Sequence, residues 1–255
     1  EPFLANRQSL PELQEDSKNQ RDATQNQHTE NVVELSGLRQ QHEQLDTELT
    51  SLRQRRSNLP ARMLEIRNRL CAALELQDSQ LPFVGELLQI RDDARDWEGV
   101  AERLLHNFGL SLLVPDSLYA KVAEWVEQTH LGGRLVYFRV RERRTAESIA
   151  THPDSLTRKL DIKPDTPFYD WLESELARRF DYACCSSLEQ FRREEKAVTP
   201  SGQIKAGHER HEKDDRHRLD DRTRYILGWS NEQKIQALEQ QANAVQLRIQ
   251  NLAGQ

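Results

Sequence analysis

The sequence predicts an α+β chain: a mixed α/β globular block on the tip of an antiparallel two-helix coiled coil. Three observations predict it. A heptad seam runs through residues 35–74, a second runs through 235–252, and short strand-like and helix-like runs alternate between them. The expected segments are a polar helix or flexible stretch at 1–34, an N-terminal coiled-coil arm at 35–80, a globular domain at 81–228 and a C-terminal arm at 229–255.

Residues 1–30 are rich in Gln, Asn, Asp and Glu, and Pro2 and Pro11 are expected to interrupt any long helix there. The first seam is Leu35, Leu38, Leu45, Leu49, Leu52, Leu59, Met63, Ile66 and Leu70, with steps of three and four once His42 and Arg56 stand as polar exceptions. Pro60 marks a kink or joint. In the globular block, Gly85–Arg91 and Leu110–Val114 read as strands. Trp97, Val100, Ala101, Leu104, Leu105 and Phe108 fall at helical spacing. Pro115-Asp116-Ser117 opens a second helix, Gly132-Gly133 makes a turn, and Leu135–Val140 is a strand. Thr166-Pro167 caps a helix through Phe180, Tyr182–Cys185 is another strand, and Ser186–Glu189 reads as a capping box. Ser230-Asn231-Glu232-Gln233 is a further capping box. It opens the second seam: Ile235, Leu238, Ala242, Val245, Ile249 and Leu252.

Composition fits a core with solvated helix outside it. Hydrophobic residues make up 36% and charged residues 31%; Lys plus Arg is 36 and Asp plus Glu 42, a net charge of −6. That balance excludes a basic protein that coats nucleic acid. No apolar stretch is long enough for a transmembrane helix and no basic-then-apolar leader is seen, so no membrane partner is expected. Three cysteines (Cys71, Cys184 and Cys185) build no disulfide framework and point to a reducing, cytoplasmic compartment. With Met63 the single methionine and Glu1 in first place, the sequence reads as a piece of a longer or processed protein.

Two basic stretches carry the candidate chemistry. Residues 134–144 hold Arg134, Arg139, Arg141, Arg143 and Arg144 against one glutamate, a charge of +4 over eleven residues. Arg139 and Arg141 share one face of a strand, which suits phosphate contact; the plainer alternative is pairing with nearby carboxylates. Residues 205–224 interleave Lys205, Arg210, Arg216 and Arg218 with carboxylates, and His208 and His211 stand three apart. A metal-dependent phosphoesterase built on 208–221 is conceivable, but interleaved cations repel a metal ion. A solvated, self-paired surface or a phosphate contact are the other readings. No phosphate-binding loop, dinucleotide fingerprint, Cys-x-x-Cys or Gly-x-Ser-x-Gly is present, so no catalytic residue, metal site or cofactor is expected within these residues.

Longer phrases carry a resemblance. Leu81-Pro-Phe-Val-Gly-Glu-Leu87, Trp97-Glu-Gly-Val-Ala-Glu-Arg-Leu-Leu105, His130-Leu-Gly-Gly-Arg-Leu-Val-Tyr137, Thr199-Pro-Ser-Gly-Gln-Ile-Lys205, Arg210–Arg216, Asp221-Arg222 and Tyr225-Ile-Leu-Gly-Trp229 resemble the hinge region of SMC-like ATPases of the MukB, MksB and JetC type. The likeness covers about 60–235 and is nearest to the JetC group of Wadjet plasmid-defence systems. The resemblance implies a homodimerising hinge in a DNA loop-extruding motor, with ATP and Mg at heads outside this sequence. It further implies kleisin and KITE subunits, a toprim-type nuclease and double-stranded DNA as partners, at the nucleoid or on plasmids. A chromosome condensin hinge, or an adaptor tip recruiting a topoisomerase or nuclease, are the alternatives. Candidate dimer residues are Gly132, Gly133, Leu135, Tyr137, Tyr225 and Leu227, because glycines beside a strand permit close backbone approach and 199–228 offers a second edge.

Overall fold

The computed structural model describes residues 2–54, 57–141 and 149–254; of residues 2–14 it describes the helical backbone. The chain divides into two compact units, one made of 1–49 with 238–255 and one of 50–237.

The first unit is helical. Helix α1 spans Pro2–Arg53 and α7 spans Glu232–Ala253. On α7 the seam residues Leu238, Ala242, Val245 and Leu252 are buried; on α1 Leu49 is buried and Leu35, Leu38 and Leu45 are half-buried. Arg248 pairs with Glu34 at 3.0 Å. Each of these two residues directly precedes a seam position, the flanking site from which charges bridge paired helices. Near its start α7 meets the end of α1, where the Asn231 amide donates to the Leu52 carbonyl at 2.7 Å. Numbers rise along one helix as they fall along the other, so the pair is antiparallel. Pro11 does not interrupt α1, against the expectation from sequence. A proline removes one backbone donor and strains one turn, and here the helical backbone continues on both sides of it.

The expected first seam is shared between two helices, the first of which ends at Arg53. Pro60 stands directly before helix α2 (Ala61–Leu74). Leu59, Leu64, Leu70 and Cys71 then enter the core of the second unit, although the three-and-four spacing reads as one seam. A core-facing helix and a coiled-coil helix share that spacing over two turns. Buried Arg67 on α2 pairs with Glu86, which also accepts the Phe83 N–H at 3.0 Å, and its guanidinium lies over the Phe83 ring.

Among the described residues the second unit holds eight short strands. Val84–Glu86 is a 3₁₀ turn, and the strand expected across Gly85–Arg91 shortens to β1 (Leu88–Ile90). Helix α3 (Glu98–Gly109) leads to β2 (Ser111–Pro115), and α4 (Tyr119–Gln128) crosses to β3 (Val136–Val140). The β2–β3 pair is parallel, as the crossover helix requires, with Leu113 opposite Phe138. Strand β4 (Leu160–Ile162) pairs antiparallel with β1. Helix α5 (Tyr169–Arg179) packs on β4, and its Trp171 ring meets the Phe138 ring of β3 at 5.5 Å.

A four-stranded sheet completes the unit. Its order is β5 (Ala183–Cys184), β6 (Lys196–Val198), β7 (Gln203–Ala206) and β8 (Arg210–Lys213), with β5 and β6 parallel and the others antiparallel. Helix α6 (Leu188–Arg193) sits between β5 and β6. Its cap is Ser187, whose hydroxyl accepts from the Gln190 N–H, one residue later than the sequence suggests. The capping box expected at Ser230 is absent as well. Helix α7 begins at Glu232 with the Asn231 carbonyl accepting from Ile235, and the Gln233 amide oxygen accepts from Arg222 instead.

One apolar cluster joins α2, β1, α3, β2, α4, α5, β6, β7 and the exit residues Ile226 and Leu227. Gly99 shows how tightly α3 meets the exit chain. A methyl group there would sit 2.9 Å from the Leu219 carbonyl carbon, and closer to its oxygen. Gly to Ala inside an exposed helix stabilises by about 1 kcal/mol. Backbone cannot swing aside as a side chain does, so here overpacking wins. Gly99→Ala is expected to destabilise the chain by about 1–3 kcal/mol, read as a lower urea midpoint.

Candidate functional site

The basic residues singled out from sequence are mostly neutralised by near neighbours. The Arg139 guanidinium bonds Asp116 and lies 4.5 Å over the Tyr119 ring, and Arg141 reaches the same carboxylate at 3.5 Å. The Arg139 hydrogen bond holds the Asp116 carboxyl below its ordinary range. Arg143 and Arg144 lie outside the described residues. Arg210 pairs with Glu212, Lys213 with Asp215, Arg216 with Asp214 and Arg218 with Asp220. Two hydrogen bonds from the Arg216 side chain and one from its backbone hold Asp214 well below the usual carboxylate range. The plainer reading of 205–224, a self-paired surface, is the one the structure takes. No group of three or more His, Cys, Asp or Glu among the described residues could hold a metal ion.

Lys205 requires a correction. It is 6% exposed and its ammonium donates to the Arg192 carbonyl at 2.9 Å, so its charge does not reach a surface ligand. On β7 both Ile204 and Lys205 are buried, on opposite faces of the sheet.

Three of the guanidinium groups without an ion pair among the described residues gather at one turn. Arg62 on α2 lies against the Gly132-Gly133 turn, within 3.4 Å of where a Gly133 Cβ would stand. Arg69, two turns on, donates to the His130 carbonyl at 3.4 Å. Arg134 is exposed beside the same turn. Gly132 has φ +63, which only a glycine adopts readily in this tight turn. Arg62 and Arg69 were legible as a seven-residue spacing on a helix, but nothing in sequence brings them to 130–134.

Among the described residues several strands end their sheets, β3, β4 and β8 among them. In its sheet β3 has β2 on one side and no second neighbour, and β8 ends the four-stranded sheet with all four residues exposed. Leu135 and Tyr137 are half-buried against the core beside the β3 edge. Tyr225 and Leu227 are not edge residues. The Tyr225 hydroxyl donates to the Leu219 carbonyl at 2.7 Å, and Leu227 is buried with its N–H donated to Glu102. Leu227 is corrected from interface to interior, because the exit chain crosses the core before α7 starts, and Tyr225 is half-buried beside it. A groove of about 1190 Å³ lies along α5 between the end of β3 and β4, lined by Val140, Leu160, Ile162, Tyr169 and Trp171.

Cys71, Cys184 and Cys185 are buried and free. Burial pushes the Cys184 thiol up to about 12 and the Cys71 thiol to about 11, so both stay protonated and unreactive.

No family model and no curated protein matches the chain. Among solved structures, the chain is similar to a Pyrococcus furiosus Smc hinge domain with an extended coiled coil. There the TM-score is 0.42 at 17% identity, over 90% of this chain and 84% of that one. It is similar to an asymmetric dimer of the Geobacillus stearothermophilus SMC hinge domain, with a TM-score of 0.46 at 13% identity over 88% and 90%. It is also similar to the folded elbow of cohesin, with a TM-score of 0.48 at 16% identity, where it covers 89% of itself and 33% of that chain. The chain thus spans a third of the cohesin chain's length, and all three TM-scores are below 0.5.

The group least legible in sequence is Glu102 on α3. It is 7% exposed, and its two oxygens accept the N–H groups of Ile226 at 2.9 Å and Leu227 at 3.0 Å. Burial pushes its carboxyl up to about 8, against the pull of the two N–H groups and of Lys234. A folded pKa above the unfolded 4.5 means that the protonated form favours folding. This contribution is full below about pH 4.5 and is lost as pH rises through about 8. Urea midpoints are expected to fall between pH 5 and pH 8.5, and Glu102→Gln is expected to flatten that fall. Glu102→Gln also lowers stability at pH 5 by about 1–3 kcal/mol, since an amide offers one acceptor to two donors.

Proposed function

We propose that the chain is the hinge, or dimerisation, module of an SMC-like DNA translocase, and that it associates with a second copy through open strand edges. The carrying observation is that β3 and β8, among the strands that end sheets in one compact unit, have no second neighbour among the described residues. A C₂ dimer uses the same patch twice. The β3 edge of one copy meets the β8 edge of its partner, and the reciprocal contact follows by symmetry. Backbone N–H and C=O groups along both edges then gain partners, which gives a contact directionality and strength under load.

Two further features support the reading. The chain enters and leaves the second unit through helices that pair antiparallel. The phrases at 81–87, 97–105, 130–137 and 199–229 resemble this hinge type. The same phrases favour the JetC group, and with it a role in plasmid defence rather than chromosome condensation. ATP hydrolysis and strand cleavage belong to other parts of that assembly: heads with ATP and Mg, kleisin and KITE subunits, and a toprim-type nuclease. The module itself is not an enzyme and works in the cytoplasm at the nucleoid or on plasmids. Among the described residues no helix is long and apolar enough to cross a membrane.

Contact with double-stranded DNA falls to Arg62, Arg69 and Arg134 in this proposal. A guanidinium already held by a carboxylate must give up that partner to meet a phosphate, and these three have none to give up. In gel shifts at low salt, Arg62→Glu with Arg69→Glu is expected to abolish the DNA complex. Arg139→Glu with Arg141→Glu is expected to leave it largely intact, and the reverse pattern returns the contact to β3.

The dimer is tested by co-purifying two differently tagged copies of the chain. Wild-type copies are expected to co-purify. Tyr137→Pro and Glu212→Pro, each checked for retained fold by circular dichroism, are expected to lose the partner. Unchanged capture by both variants removes the strand edges from the interface.

A further inference from the structure

Strand β8 carries a charge order that is complementary to its own reverse. It runs Arg210, His211, Glu212 and Lys213, and Glu209 stands just before it in the turn. An acid and a base precede His211, and an acid and a base follow it. All four strand residues are exposed, and β8 has β7 on one side and no second neighbour among the described residues.

The sheet register shows which backbone groups of β8 face outward. The Thr199 N–H donates to the Gln203 carbonyl at 3.0 Å, so Gln203 turns its backbone groups toward β6. That direction alternates along an antiparallel strand, so Ile204 and Ala206 turn theirs toward β8. Their register partners, Glu212 and Arg210, therefore use their N–H and C=O groups on β7. The N–H and C=O groups of His211 and Lys213 point away from the sheet.

A two-fold axis that sets two β8 strands antiparallel stands perpendicular to the sheet and keeps every side chain on its own face. Such a pairing is centred on a residue, never between two. Centred on Arg210, it opposes two arginines. Centred on Glu212, it opposes two glutamates and sets His211 against Lys213. Centred on His211, it sets Arg210 against Glu212 of the second copy and, one step into the turn, Glu209 against Lys213 of the second copy. Like charges directly opposite destabilise a strand pair and unlike charges stabilise it, so charge selects the register centred on His211. There the outward N–H and C=O groups of His211 meet the same groups of the second copy. Arg210 already pairs with Glu212 of its own strand. A guanidinium has five N–H donors and a carboxylate two oxygens, so each can hold one partner on its strand and one across, in a ring of four alternating charges.

We propose that β8 also pairs with β8 of a second copy, antiparallel and centred on His211, joining two four-stranded sheets into one. The inference rests on the reading that strand edges carry association, and it gives the same edge a second partner. One β8 holds either this contact or the β3 contact. The reciprocal β3–β8 dimer makes two strand contacts and self-pairing makes one. Self-pairing is therefore the weaker state, occupied when β3 is not engaged, and it is read by trapping rather than by capture.

Disulfide trapping on the full chain tests it. Arg210→Cys and Glu212→Cys are placed on differently tagged copies, which are mixed and oxidised with diamide. Directly opposed residues outside the hydrogen-bonded pairs stand about 4.5 Å apart in Cα, within reach of a disulfide. The mixture is expected to give a cross-linked pair that carries both tags. Each variant alone is expected to give none, because two copies of position 210, or of 212, are diagonal neighbours about 7–8 Å apart. The wild-type chain, whose three cysteines are buried, is expected to give none either. Tyr137→Pro on both copies removes the β3 contact and is expected to leave the mixed cross-link in place. Cross-linking of Arg210→Cys alone, or of Glu212→Cys alone, centres the pairing elsewhere and overturns the proposal. No cross-link in the mixture, or its loss with Tyr137→Pro, overturns it as well and leaves the β3–β8 contact standing. Failure of the underlying reading shows separately, as unchanged capture by the Tyr137→Pro and Glu212→Pro variants.

Discussion

The exit of the chain from the second unit is fixed by one buried carboxyl group. Glu102 stands on the inner face of α3 and takes the N–H groups of Ile226 and Leu227, which have no strand or helix to satisfy them. Without that acceptor the exit chain would carry two unpaired donors through an apolar core. With it, Ile226 and Leu227 pack beside Phe83, Leu105 and Phe108, and Gly85 and Gly109 give the exit chain room. The C-terminal chain thereby reaches Gly228 and Asn231 at a fixed place, and α7 starts where α1 ends. A hydrophobic residue at 102 would fill the volume but satisfy neither donor.

The surface follows a second constraint. The chain has many cations, yet those most conspicuous in sequence are spent on adjacent carboxylates, often two residues away: Arg210 with Glu212, Arg216 with Asp214, Arg218 with Asp220. Such pairs contribute little stability at an exposed site. Their effect is to leave β8 polar and close to neutral, a strand edge that resists indiscriminate pairing yet keeps its backbone groups available. Open edges with charged side chains fit a specific, symmetric contact better than an aggregation-prone one. Arg62, Arg69 and Arg134, which have no ion pair among the described residues, sit at the Gly132-Gly133 turn.

Much of the architecture is legible in the residues. The seam of α7 is a strict run of threes and fours, and the alternation of Leu110–Val114, the 118–126 helix face and Leu135–Val140 marks a strand–helix–strand unit. Pro60 reads as a joint, and it is one. The seam through Leu59, Ile66 and Leu70 misled because a core helix has nearly the period of a coil. Local hydrogen-bond choices were less legible. Capping depends on which hydroxyl faces the helix end, so Ser187 replaces Ser186, and Gln233 turns to Arg222. At the candidate site, sequence places the basic strand but not its partner Asp116, which lies 23 residues away. Glu102, Asn58 and Lys234 look like ordinary solvated residues in sequence. Only long-range packing makes them interior, and a single sequence carries no signal of that.

The central claim is association by strand edges, so the most direct measurement is the solution mass of the intact chain by light scattering across a dilution series. The expected result is twice the chain mass at high concentration, falling smoothly to the chain mass on dilution. A single-chain mass at every concentration would contradict the account.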